Sequence, residues 1–223
     1  MAKIKQVVTQ ASVSRLGEGT EQYLRMLRDG SIGVADFIAV LSLEGRVFTA
    51  TAGEATSPAT FGDGGLDTDE FDLHVAVPAS VVIIPLSLNI HFEAFGTASL
   101  VECVMQSGSG SVTGAATAAV TAISSNKNSG RTSACTIGEA CADGGTALTT
   151  NIKEIWRESN QLAITTASVG QIRSPYNYRW NAMDNGVLDV VGPAEQVCIW
   201  AAANAGTGFI SFKYIELPSS AVE

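Results

Sequence analysis

Two stretches of this chain alternate apolar and polar residues with the period of a β-strand. In "FDLHVAV" (71–77), Phe71, Leu73, Val75 and Val77 fall on one face and Asp72, His74 and Ala76 on the other. In "VVIIPLSLNIHFEAF" (81–95) the even positions Val82, Ile84, Leu86, Leu88, Ile90, Phe92 and Ala94 are apolar. From Ser87 onward the odd ones, Ser87, Asn89, His91 and Glu93, are polar. Each stretch reads as a half-buried strand. Pro78 in "VPAS" suits the first corner of a tight connection between them. Pro85 has no N–H for a ladder and marks an edge or a bulge. Further strands are expected at 34–43, 47–50, 100–105, 162–169, 187–191, 197–203 and 208–217, with "LEGR", "DNG" and "NAGTG" as turns. About nine strands at this spacing predict an all-β chain, a sandwich or jelly roll.

Helix is scarce in the pattern. "TEQYLRMLRDG" (20–30) offers Thr20 as an N-cap, Arg25 and Arg28 in a last turn and Gly30 beyond. "NIKEIWRES" repeats Ile152, Ile155 and Trp156 at helical spacing. Two short helices are therefore expected. Residues 106–150 are low in large side chains and read as a long small-residue loop. Its "AATAAVTAI" is apolar enough to pack, which favours a loop ordered against a neighbouring subunit over a flexible linker. The expected organisation is an N-terminal arm at 1–30, one β-sandwich domain at 31–218 carrying the 106–150 loop, and a tail at 219–223.

Composition adds a constraint on partners. Charged residues are 16% of the chain and hydrophobic ones 46%, a weakly charged surface for a lone monomer, so part of it is expected to meet protein. Net charge is −9, yet Lys3, Lys5, Arg15, Arg25 and Arg28 oppose only Glu18 and Glu21 in the arm. The acidic body is therefore not expected to recognise nucleic acid, which needs clustered Lys and Arg. "MAKIKQVVTQ" carries no apolar run of signal-peptide length, and no segment has the length of a transmembrane helix.

Candidate chemistry is thin. Asp63, Asp67, Asp69 and Asp72 could offer oxygens to calcium, but the spacing is not that of an EF-hand. An acidic surface loop from Asp63 to Asp72 running into a strand, with Asp72 and His74 turned outward, is the favoured reading. Asp72, His74, His91 and Glu93 would cluster only if His74 lay opposite His91. A turn at Pro78-Ala79 sets His74 opposite Ile83 or Ile84 instead. Cys103 reads as an inert core thiol, while Cys135 and Cys141, framing "CTIGEAC", could close a disulfide loop or, as favoured in a reducing cell, stay free with Cys198. There is no G-x-S-x-G, "GSGSVTG" is out of step with a phosphate loop, and two histidines are too few for a metal cupin. Tyr176, Tyr178, Arg179 and Trp180 in "SPYNYRWNAM" form either a sugar platform or, as favoured, a subunit contact. No catalytic, cofactor or metal residue is assigned, and no enzymatic activity is expected.

The runs "LEGRVFTATAG", "LHVAVPASVVIIPLSLNIHFEAFG", "RTSACT", "EIWRE" and "VVGPAEQVCIWAAANAGTGFISFKYIELP" resemble the single jelly-roll structural proteins of bacterial viruses. The likeness, one of pattern, spans about 43–218. It implies a jelly-roll β-sandwich that self-assembles into a capsid shell or capsid-associated oligomer, with other copies and other virion proteins as partners, assembled in a host cytoplasm. The competing expectation is a lectin-like module holding a glycan, with calcium assisting.

Overall fold

The computed structural model describes residues 5–7, 21–23, 36–61, 66, 70–95, 100–110, 116–141, 148–161, 177–202 and 206–222. In chain order these form β1 (Lys5–Val7), β2 (Glu21–Tyr23), α1 (Phe37–Leu43), β3 (Val47–Ala52), β4 (Ala59–Thr60), β5 (Leu73–Ala76), β6 (Val81–Ala94) and β7 (Leu100–Ser109). There follow β8 (Ala116–Val120), β9 (Ile123–Ser124), β10 (Thr136–Cys141), β11 (Thr150–Gln161), β12 (Asn177–Asn181), β13 (Gln196–Ala202) and β14 (Thr207–Pro218). Most of the chain is strand, in two antiparallel sheets with little helix, as the alternation predicts. The first sheet runs β11-β7-β13-β5-β10-β8 and the second β12-β6-β14-β3-β9, with β4 also on β14. β1 and β2 pair with each other.

One core joins the inner faces of both sheets. Leu73, Val75, Val101, Cys103, Met105, Val197 and Ile199 come from the first, and Phe48, Leu88, Ile90, Phe92, Tyr178, Trp180, Ile210, Phe212 and Tyr214 from the second. The aromatic rings interlock edge-on, Phe92 against Phe61 at 5.2 Å and against Tyr178 at 5.7 Å. Pro85 sits in a central strand at a bulge. Tyr214 pairs with Pro85 but Lys213 with Ser87, leaving Leu86 as the extra residue. The bulge switches which residues face inward. Ile83 enters the core before it and Leu88, Ile90 and Phe92 after it, while Ile84 and Leu86 face out under Leu41 of α1. The expectation of one apolar even-numbered face therefore holds only from Leu88 onward.

Several expected elements differ. The strand expected at 34–43 is helix α1 from Phe37, because Asp36 caps it by accepting from the Ala39 N–H at 3.0 Å. It stops at Gly45, whose φ of 73° suits glycine. The helix expected over 151–159 is strand β11. Two bulges, between Thr150 and Lys153 and between Glu154 and Trp156, stretch side-chain spacing to mimic a helical repeat. Glu21–Tyr23, expected within a helix, is extended on β1. At 187–191 only Val191 bridges, to Ile83. The strand expected at 162–169 lies outside the described residues.

The stretch 106–150, expected as a loop against another subunit, supplies the end of β7 and the strands β8, β9 and β10 to this chain's own sheets. Small residues suit that role, because β10 is sandwiched between β5 and β8 and Gly138 pairs with His74 on one side and Ala119 on the other.

Candidate functional site

The turn at Pro78 exists, with the Val81 N–H donating to the Pro78 carbonyl, but it carries the chain from one sheet to the other. His74 therefore pairs with Gly138 and Cys198 in the first sheet, not with Ile83 or Ile84. His91 lies in the second sheet opposite Asn177 and Phe209. The four-residue cluster does not form, and the reason is the change of sheet.

Asp72 and His74 are not solvent-facing as expected. Both are buried, because the outer face of the first sheet carries its own small apolar cluster of Phe71, Val104, Leu148, Cys198 and Trp200. Phe71 breaks the expected alternation to join it, meeting the His74 ring at 5.0 Å and Trp200 at 6.4 Å. The Asp72 carboxylate accepts from the Ala201 N–H at 2.6 Å, which makes it a backbone pin. Burial lowers the His74 pKa, and its Nδ1 has no hydrogen-bond partner among the described residues. Asp63, Asp67 and Asp69 lie outside the described residues. Among the described residues no three His, Cys, Asp or Glu side chains come together to hold a metal ion.

Cys103 is buried and free, and burial pushes its thiol well up, as suits a core residue. Cys135 is free too. The strand 136–141 holds Cys141 about 20 Å away along an extended backbone, too far to bridge.

Cys135 belongs to a polar knot that sequence reasoning missed. At the inward end of β14, the Glu216 carboxylate accepts from Ser133 Oγ at 2.7 Å, from the Ala134 N–H at 3.0 Å and from Cys135 Sγ at 3.7 Å. Ser133 Oγ also lies 2.8 Å from the Tyr214 hydroxyl. Burial first, then the Glu216 charge, pushes the Cys135 thiol up to about 12, and burial likewise raises Tyr214. A thiol so disfavoured as thiolate is no nucleophile at neutral pH. The knot fastens the 125–135 crossover to the second sheet. Its signal was legible: Phe212, Tyr214 and Glu216 share one face, so an inward carboxylate needs partners.

The "YNYRW" stretch is a strand rather than a loop. β12 forms an edge of the second sheet, and Tyr178 and Trp180 point into this chain's own core, fully buried and 6% exposed. They serve neither as a sugar platform nor as a subunit contact; Tyr176 lies outside the described residues. The alternate residues face out in register with β6 and β14. Phe209, His91 and Asn177 form one row, Ser211, Asn89 and Arg179 the next, Lys213, Ser87 and Asn181 a third. His91 Nδ1 lies 2.6 Å from Asn177 Oδ1, and Arg179 Nε donates to Asn89 Oδ1 at 3.2 Å. A cleft of about 380 Å³ opens at the edge of this face between Ser87, Asn89, Arg179, Asn181 and Asp184.

No protein-family model, curated protein or solved structure matches the chain. Function therefore rests on the residues and the topology. No helix among the described residues is long and apolar enough to cross a membrane.

Proposed function

We propose that the chain is a virion structural protein, a jelly-roll β-sandwich that self-assembles into a capsid shell or capsid-associated oligomer. The observation that carries the fold reading is the strand pairing. Taking β3, β5, β6, β7, β11, β12, β13 and β14 as first to eighth, the second sheet contains the order 1-8-3-6 and the first 2-7-4-5. First pairs with eighth, second with seventh, third with sixth and fourth with fifth. That is the pattern made when one long antiparallel ribbon wraps into two facing sheets, and jelly rolls serve as viral capsid and lectin domains. On this reading β8, β9 and β10 are additions between the fourth and fifth strands that widen both sheets at one edge.

Assembly fits the surface. Phe37, Leu43, Ile123, Met183 and Val187 each expose more than half of their area, and the chain is poor in charge. The long edge strand β11 is ill suited to strand addition, because two bulges and the charges of Lys153, Glu154 and Arg157 guard it. Subunit contacts then fall to faces, ends and loops, repeated by symmetry. The lectin-like alternative loses its aromatic platform at 178–180, since those rings are in the core.

Size-exclusion chromatography with light scattering, followed by negative-stain microscopy, tests the proposal. The expected result is a closed symmetric oligomer or shell that grows in with concentration. A monomer persisting at millimolar concentration overturns it.

A further inference from the structure

The outer face of the second sheet divides at the Leu86 bulge. Beyond it lies the polar lattice of Asn, Ser, Arg, Lys and His; before it Val47, Ile84, Leu86 and Ile215 are apolar and lie with Leu41 of α1. Covering them takes one side of the helix, yet "FIAVLSL" is apolar nearly all round. Phe37, Ala39 and Leu43 are exposed and Val40 is partly buried. A helix without a polar side belongs in an interior.

The neighbours of α1 extend this apolar surface. Asn181 pairs with Ser87 and Val191 bridges Ile83, so residues 182–190 run beside β6 and bring the exposed Met183, Val187 and Val190 to one side of α1. Leu188 among them packs on the same cluster as Ile38. On the other side Ile123 pairs with Thr49, two residues along β3 from Val47, and faces outward too. Six of the nine exposed large apolar side chains among the described residues thus collect around α1. At roughly 150–200 Å² for a large apolar side chain, exposed by about half to three-quarters, they leave ~600 Å² of apolar surface. The largest such patch on a monomer is usually about 300–600 Å². With the ~60% apolar share of a subunit contact, it corresponds to ~1,000 Å² per copy, above the ~800 Å² of a standard stable interface.

Shape and charge point to the same occupant. On α1, Phe37, Val40 and Leu43 form a ridge, and Ala39 and Ser42 beside it form a shallow row of small residues. An antiparallel copy of the helix sets its ridge into that row, and a two-fold axis repeats the fit. The ends match as well. Exposed Asp36 caps the start of α1, while the Asn126 side-chain amide donates to the Leu43 carbonyl at 2.7 Å and so holds the exposed Lys127 by the helix end. Reversing one helix against the other brings Asp36 towards the partner's Lys127. Arg131, which shares a cleft with Lys127 and Ile123, and Asp184, next to Met183, lie on opposite sides of α1 and are exchanged by the same axis. Arg46 and Asp189 are already paired, with Glu44 and Lys153. Copies of a chain of net charge −9 can therefore meet here with opposite charges facing.

We propose that two copies of the chain pair through this face, α1 against α1 across a two-fold axis. The pairing rests on the self-assembly reading above and names one surface that assembly uses.

Sedimentation velocity of the whole chain over a range of concentrations tests it. Leu43→Glu alters the face, and Leu100→Glu, at an exposed leucine of the first sheet, controls for the added charge. Wild type and Leu100→Glu are expected to associate alike, and Leu43→Glu roughly tenfold more weakly or worse. Lys127→Glu is expected to weaken association severalfold at low salt, and an unchanged value overturns the antiparallel arrangement. Circular dichroism checks that each variant is folded. Equal association of the Leu43 and Leu100 variants overturns the pairing and leaves the self-assembly reading standing. A wild-type chain that stays monomeric overturns both, as when a different protein occupies the face. Unfolding of Leu43→Glu with Leu100→Glu intact overturns the pairing too, because the face is then covered by its own chain.

Discussion

Outside the first sheet, Cys198 and Trp200 lie beneath Phe71 and Leu148, and even Asp72 and His74 are buried. Outside the second sheet, beyond Leu86, Asn89 lies in the cleft while Arg179 and Lys213 stand exposed. The inner faces are alike, both filled with large side chains; the outer ones diverge because each strand's second set of alternate residues differs. In β13 every residue is buried, and after Gln196 the run "VCIWAA" is continuously apolar. In "FISFKY" of β14 polar residues interrupt the apolar ones, and only one side needs cover. An outer face that is apolar must recruit loops or a helix to shield it; one that is polar needs no cover.

The sharpest way to break the contrast is within one strand. Trp180→Ala should cost about 3–5 kcal/mol, since it empties a core position, while Arg179→Ala should stay within about 0.5 kcal/mol. Urea unfolding of the two variants side by side checks this, and equal losses would mean that β12 does not alternate as described. Leu86→Ala is the next largest, about 2–4 kcal/mol by the same measurement, because the bulge residue lies against α1 rather than in solvent. Glu216→Ala should cost about 1–3 kcal/mol, as it strands the donors of Ser133 and Ala134.

The smallest effect is a pH dependence specific to the covered face. Burial lowers the His74 pKa, so the folded state takes up its proton later than the unfolded chain does. Its contribution is complete above the unfolded value of about 6.5 and fades as the pH falls from there towards the lowered folded value. Urea midpoints at pH 7.5 and 5.5 should therefore drop further for the wild-type chain than for His74→Leu. Equal drops would mean that His74 is open to water.

Strand content and the positions of β3, β5, β6, β7, β13 and β14 were legible, because period-two alternation is local and strong in β5, β6 and β14. Two of the failures share one cause, a backbone event that shifts the phase. The Leu86 bulge swapped the faces of β6, and the bulges of β11 imitated a helix. A lone capping carboxylate, Asp36, turned an apolar run into α1. The burial of Asp72 and His74 was not legible, since Leu148, which helps cover them, lies outside the alternating segments and Phe71 leaves the face that the alternation assigns to it. The outer lattice was half legible. Its polar residues were seen strand by strand, but the register that sets Arg179 beside Asn89 is a product of pairing across 90 residues of chain.

Hydroxyl-radical footprinting with mass spectrometry on the dissociated protein measures the two outer faces at once. The account predicts ready oxidation of His91 and Phe209 with protection of Phe71, His74 and Trp200. Comparable oxidation of His74 and His91, or protection of Phe209 with oxidation of Trp200, would contradict it.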